Sequence, residues 1–313
     1  MKEKIKIALL AMQRYSWEQG TAMQAFLEAG DMDVVIPMAY EAVYRGIPDG
    51  RTAQMGDSSA VTDPCATGEA ILEAYRVTKD ETLKDGLDKL INWALHSAPR
   101  SDKGIVYHVM NEPEFWSDSL YMLPPFLAAV GEYEESLKQI YGYLDALMDP
   151  QTHLISHRWN EKEKVFIRKD FWSTGNGWTL AGIARVIDAL PEEWADEKEK
   201  LINLEVSILD SILPYMREDG LFYDVLDNPD SFVETNCSQM IAYTIYRGIK
   251  AGWLPEKYIG AANKMRDAAR RKTDCYGRVH GACGAPMFDK SGESPEANAF
   301  AILMETAAEQ CEI

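Results

Sequence analysis

No run of about 18 uninterrupted apolar residues occurs in this chain of 313 residues, so no membrane-spanning helix is expected. The opening stretch "MKEKIKIALLAMQRYSWEQG" carries charge at its front, but Arg14 and Glu18 interrupt a short apolar run and no small-residue cleavage site follows. That pattern does not fit a secretory leader, and the expected location is the cytoplasm. Basic residues are also scarce, 32 against 50 acidic ones, for a net charge of -18. Such a field repels nucleic acid and anionic membrane surfaces, so neither is expected as a partner. A small anion remains admissible where a few cations and helix N-termini converge.

Cysteine is sparse, odd in number and scattered: Cys65, Cys237, Cys275, Cys283 and Cys311. The set suits reduced thiols better than a disulfide framework. No CxxC pair occurs, and the nearest thing to a metal-ligand set is Cys275, His280 and Cys283 in "CYGRVHGAC". Without the usual zinc spacing these read first as loop thiols, and no metal site is expected.

Alternating strand patterns are scarce too, while helical spacing is everywhere. "GEAILEAYRV", "LKDGLDKLINWAL", "EESLKQIYGYLDALM" and "EKLINLEVSILDSILPYM" place apolar residues three and four apart. A weaker recurrence organises them, in which an aromatic or polar loop runs into a helix rich in small residues. It appears as "YSWEQGTAMQAFLEAG", "DPCATGEAILEAYRV", "FWSDSLYMLPPFLAAV", "FWSTGNGWTLAGIARVI", "ETNCSQMIAYTIYRGI" and "SPEANAFAILMETAA". From Gly20 through Gly68, Asp118, Gly177 and Ser238 to Asn298 the steps are roughly 50 to 60 residues, room for two helices and their connections. The low charge of these segments predicts enclosed helices, and charged segments such as "TKDETLKDGLDKLINWAL" and "PEEWADEKEKLINLEV" predict an outer layer. An all-α (α/α)6 toroid, one domain over residues 1–313, closes this pattern most simply; an open solenoid is the alternative.

In such a toroid the loops before the inner helices share one end. They carry Trp17, Trp116, Trp172 and Trp178 beside scattered carboxylates and amides. Any one of these indoles could be core, but four of the eight tryptophans at one end suit sugar rings, which offer C–H faces for stacking and hydroxyls for directional bonds.

"HSAPRSDKGIVYHVMNEPEFWSDSLYM", "ISHRWNE", "FWSTGNGW" and "SFVETNCSQMIAYTIYRGIKAGWL" resemble, in order, the unsaturated rhamnogalacturonyl hydrolases of glycoside hydrolase family 105, kin of the unsaturated glucuronyl hydrolases of family 88. The resemblance implies a six-hairpin barrel that removes a 4,5-unsaturated uronic acid from the non-reducing end of oligosaccharides left by polysaccharide lyases. The reaction it implies hydrates the vinyl ether double bond and needs no metal or nucleotide cofactor. Asp118 falls on the family's acid/base aspartate. Asp63 falls on a second active-site aspartate, His157 on a substrate-binding histidine, and Trp172 and Trp178 on aromatic walls of the substrate site; Trp116, beside Asp118, is a further candidate for substrate binding. His108 lies where the family often has His-Lys, but Val109 follows here.

An acid in this role must keep its proton near neutral pH, above the usual aspartate value of about 3.9. Burial among Trp116, Tyr121 and Met122, with a second carboxylate nearby, is expected to raise Asp118, against the dipole of the helix that follows. Asp118 can equally be read as a helix N-cap, and so can Asp63, which precedes a proline in "TDPCATGEA". His157 can be read as a surface turn residue.

Thr174 stands where many relatives carry an arginine, which removes a bidentate partner for a carboxylate. Arg100, Lys103 and Arg158 are the candidate replacements, each otherwise a surface cation, and Glu234 is a pocket group or a first-turn carboxylate. The expected partner is a small anionic oligosaccharide, met by a monomer or a homodimer. Alternatives are an inverting glycosidase acting on saturated sugars, a zinc-dependent toroid using Cys275, His280 and Cys283, and a noncatalytic sugar-binding barrel.

Overall fold

The computed structural model describes residues 1–55 and 59–311. Helices follow one another along the chain: α1 (Lys2–Met12), α2 (Ser16–Glu28), α3 (Met32–Tyr44), α4 (Gly68–Thr78), α5 (Glu81–Asn92), α6 (Ser119–Met122), α7 (Pro124–Ala129), α8 (Tyr133–Leu147), α9 (Ser173–Ala189), α10 (Ala195–Ile212), α11 (Asn236–Lys250), α12 (Ile259–Arg271) and α13 (Pro295–Cys311). Among the described residues five short strands sit in the loops: β1 (Glu114–Trp116), β2 (Arg158–Asn160), β3 (Val165–Arg168), β4 (Phe222–Tyr223) and β5 (Val233–Glu234). Among the described residues no helix is long and apolar enough to cross a membrane.

Two classes of helix alternate, as small-residue content and charge predict. In α9 every residue from Ser173 to Ile187 is buried, and α11 and α13 are enclosed almost as fully. By contrast α5 buries only the stripe Leu83, Gly86, Leu87 and Leu90, and α12 only Ala262, Met265, Ala268 and Ala269. A helix enclosed on all sides cannot carry many charges, whereas one with a single apolar stripe can leave its remaining face in water.

The chain divides into two compact units. The first comprises residues 1–12, 148–157 and 170–313; in it α11 packs against both α9 and α13, with α10, α12 and α1 laid outside on α9, α11 and α13 in turn. The second comprises residues 13–147 and 158–169. There α2 packs on the 3-10 turn Asp63–Thr67 that leads into α4, α3 and α5 cover α4, and α8 covers α7. The third small-residue segment is broken in two, because Pro124 and Pro125 lack the N–H groups that would join α6 to α7. In β1, β2 and β3, a three-stranded antiparallel sheet of the second unit, Trp116 is opposite Arg158 and Phe115 opposite Trp159.

Small residues bring elements within backbone range. A Cβ on Gly68 would lie 2.2 Å from the Phe126 ring, and one on Gly177 would lie 2.6 Å from the Met240 sulfur. Gly68→Ala should therefore destabilise the protein by about 1–3 kcal/mol, the usual cost of overpacking, read from the denaturant midpoint.

Glu205 of α10 is wholly buried, and neither of its carboxyl oxygens finds a hydrogen-bond partner among the described residues. Burial holds its pKa well above the usual carboxylate range. The folded protein thus keeps a proton that the unfolded chain releases, and stability from this site declines as pH climbs past the ordinary glutamate range of about 4.3. Glu205→Met should raise the melting temperature, by more at pH 8 than at pH 5; thermal unfolding at the two pH values measures it.

Candidate active site

In the second unit the alternation of β1 sends Phe115 inward and Glu114 and Trp116 to the other face. Phe115 is 2% exposed and meets Tyr143 edge-on at 5.7 Å. On the opposite face, Trp116 Nε1 donates to Glu114 Oε2 at 2.7 Å. From the facing strand, Arg158 Nε and Nη2 donate to the same oxygen at 3.0 and 2.7 Å, and the guanidinium lies over the Trp116 ring at 4.2 Å.

His108 stacks on the same indole, ring centroids 4.3 Å apart and planes within 17°. Its Nδ1 is 3.0 Å from the hydroxyls of both Thr62 and Ser119, and its Nε2 is 3.8 Å from Asp63 Oδ1. One imidazole nitrogen thereby ties the turn carrying Asp63 to the turn carrying Asp118. Asp63 is buried as the first residue of its 3-10 turn, where Thr62 takes the N-cap position. Asp118 occupies the N-cap position of α6, but its side chain makes no capping hydrogen bond. Half-buried beside the fully enclosed Ser119, Leu120 and Tyr121, its Oδ2 accepts from Ser117 Oγ at 3.4 Å. The sequence-predicted Asp63, His108, Trp116 and Asp118 are thus neighbours in one unit.

In the first unit His157 packs at 4.5 Å against Trp172, and both are buried. Trp172 Nε1 donates to Asp224 Oδ1 at 2.9 Å, and the Asp224 carbonyl accepts from Ser173 N. The loop carrying His157 is fastened to α9 by Asn176: its Oδ1 accepts from Ile155 N, and its Nδ2 donates to the carbonyls of Ile155 and Trp172, all at 2.9 Å. Trp178 sits deeper, edge-on to Phe300 at 5.4 Å, in the helical core of the unit. Thr174 is buried one residue into α9, and its hydroxyl has no hydrogen-bond partner among the described residues.

Glu234 is also in the first unit and fully buried. Its oxygens accept from the backbone N–H of Cys237 at 2.6 Å and of Cys283 at 3.2 Å. Those bonds favour the ionised form, yet burial outweighs them and pushes its pKa up to about 7, with Asp224 adding in the same sense. Among the cations, Arg100 is engaged by Glu135 and by the carbonyls of Ala94 and Ala98, and Lys103 is an exposed partner of Asp145. His280 lies between Asp274 and Glu293, each 3.1 Å away, while Cys275 is exposed and Cys283 is buried with its thiol donating to Phe288 O. Among the described residues no group of three or more His, Cys, Asp or Glu side chains is placed to hold a metal ion.

Residues 1–296 match the model of glycosyl hydrolase family 88. The chain belongs to that family. It is 30% identical over 208 residues, 61% of its length, to the unsaturated rhamnogalacturonyl hydrolase YesR of Bacillus subtilis, and spans 58% of that relative. It is 24% identical over 303 residues to the unsaturated 3S-rhamnoglycuronyl hydrolase of Formosa agariphila, covering 89% of this chain and 70% of that one. A crystal structure from Salmonella enterica, described as a possible member of family 105, superposes with a TM-score of 0.86 at 20% identity, over 98% of this chain and 92% of the other. The resemblance to family 105 and its kin is borne out, and the fold is the all-α six-hairpin toroid.

Three residues of this arrangement escape sequence reading: Glu114, Asn176 and Asp224. Each acts by holding another residue. The signals were available, a carboxylate two positions before Trp116 on a short strand and the amide of "GNGW", but the Arg158, Ile155 and Trp172 partners lie 21 to 52 residues away.

The Glu234 proton should be visible in stability. Because the folded value is raised, this site's contribution is present below about pH 4.5 and fades as pH approaches about 7. Glu234→Gln should flatten that part of the stability–pH curve in denaturant titrations from pH 4.5 to 8.

Proposed function

We propose that this chain is a single catalytic domain that removes a 4,5-unsaturated uronic acid from the non-reducing end of lyase-generated oligosaccharides. The observation that carries the reading is Asp118: it stands at the head of α6, half-buried, with a side chain that does not cap the helix. Family membership supports it, as do the relatives from Bacillus subtilis and Formosa agariphila, an unsaturated rhamnogalacturonyl hydrolase and an unsaturated 3S-rhamnoglycuronyl hydrolase.

In this reading Asp118 delivers its proton to C4 of the unsaturated ring, and positive charge develops at C5 and the ring oxygen. Water adds at C5 and returns a proton to the carboxylate. The resulting hemiketal opens to a C5 ketone, and the hemiacetal left at C1 releases the remaining sugar; one water is consumed. Asp63 and His108 of the second unit supply hydrogen-bonding groups for sugar hydroxyls and Trp116 an apolar wall; in the first unit His157 and Trp172 are further candidates for sugar binding. Trp178, edge-on to Phe300, backs this end of α9. The enzyme would act in the cytoplasm on imported di- or short oligosaccharides, as a monomer or homodimer.

Unsaturated galacturonyl and glucuronyl disaccharides should lose the absorbance of their conjugated double bond on incubation with the protein, and saturated counterparts should be untouched. Steady absorbance with every unsaturated substrate would overturn the proposal. Asp118→Asn should lower kcat by about 10²- to 10⁴-fold with unchanged circular dichroism, the range expected for loss of a general acid.

A further inference from the structure

An anionic substrate approaching a protein of net charge -18 must meet a cation whose hydrogen bonds are not already committed. Of the three candidate cations, Arg100 and Lys103 are engaged by Glu135 and Asp145, and Arg158, paired with Glu114 along one edge, lies over the Trp116 ring. Its guanidinium shares the Trp116 indole with His108, and His108 bridges the two aspartate-bearing turns.

A guanidinium has two edges that can grip a carboxylate side by side. The lateral one is formed by Nε and Nη2, the terminal one by Nη1 and Nη2. In Arg158 the lateral edge is occupied by Glu114 Oε2, whereas Nη1 donates to no group among the described residues and the side chain is 30% exposed. Glu114 is buried, so the fork is fixed by two hydrogen bonds to one oxygen, which Trp116 Nε1 holds in turn, and by the ring beneath it. A ready-oriented terminal edge loses little side-chain entropy on binding an oxyanion.

We propose that Arg158 is the specificity-determining residue for a substrate carboxylate, taken on its terminal guanidinium edge, and that Glu114 positions it. The proposal rests on the unsaturated-uronate reading and names the residue that distinguishes an acid from a neutral sugar.

The test compares an unsaturated galacturonyl disaccharide with its methyl ester, which keeps the ring and double bond but not the charge. The wild type should favour the acid. Arg158→Met, which keeps an apolar stem against Trp116, should raise KM for the acid at least 10-fold and leave KM for the ester within 2-fold. Arg158→Lys, which keeps charge without the fork, should fall between. Equal losses on both substrates would mean that Arg158 only supports Trp116, and no loss on either would mean that it has no role; both results overturn the proposal. Titration calorimetry with the acid and the ester gives a readout independent of turnover. If the wild type cleaves neither compound nor the glucuronyl disaccharide, the activity reading fails by itself, and preferential binding of the acid that Arg158→Met abolishes would still uphold the assignment of Arg158. Equal binding of acid and ester by the wild type would overturn it.

Discussion

A single carboxylate oxygen, Oε2 of Glu114, organises the chemistry of the second unit. It accepts from Trp116 and twice from Arg158, and so fixes an indole against which the His108 imidazole lies flat. Burial makes the arrangement stiff: a carboxylate out of water needs its hydrogen bonds, and the two donor side chains cannot swing away without leaving it unmet. The strands that present these groups are three residues each, yet antiparallel pairing sets Trp116 opposite Arg158, close enough for a cross-strand contact.

The first unit uses another device for the same end. Buried amides reach back from the opening turn of a helix and close on main-chain atoms of the preceding loop: Asn176 on Ile155, and Asn298 on Val279 and Gly277. Both follow from the repeat. A loop entering a wholly enclosed helix has backbone N–H and C=O groups that water cannot reach, so side-chain amides must satisfy them.

The helical layers were legible because composition follows enclosure: segments such as "STGNGWTLAGIARVI" carry glycine and alanine where neighbours come within van der Waals range, and charge marks the helices left in water. The break between α6 and α7 was not expected, since that segment reads as one helix, although two consecutive prolines stand at the break. Asp118 and Asp63 could be located by resemblance, but whether each caps a helix depends on where its carboxyl points, and sequence carries no such information. The short strands were missed for a related reason, since two or three residues are too few to display an alternating pattern. Glu114, Asp224 and Asn176 depend on pairings 21 to 52 residues away, and only folding brings those together.

Asn176 grips its loop solely through main-chain nitrogen and oxygen, atoms that every residue except proline provides in full. The clasp is therefore indifferent to which side chain stands at position 155. What constrains that position is packing alone, because the Ile155 side chain is fully enclosed, and the anchor keeps its grip on any residue that fills the same space.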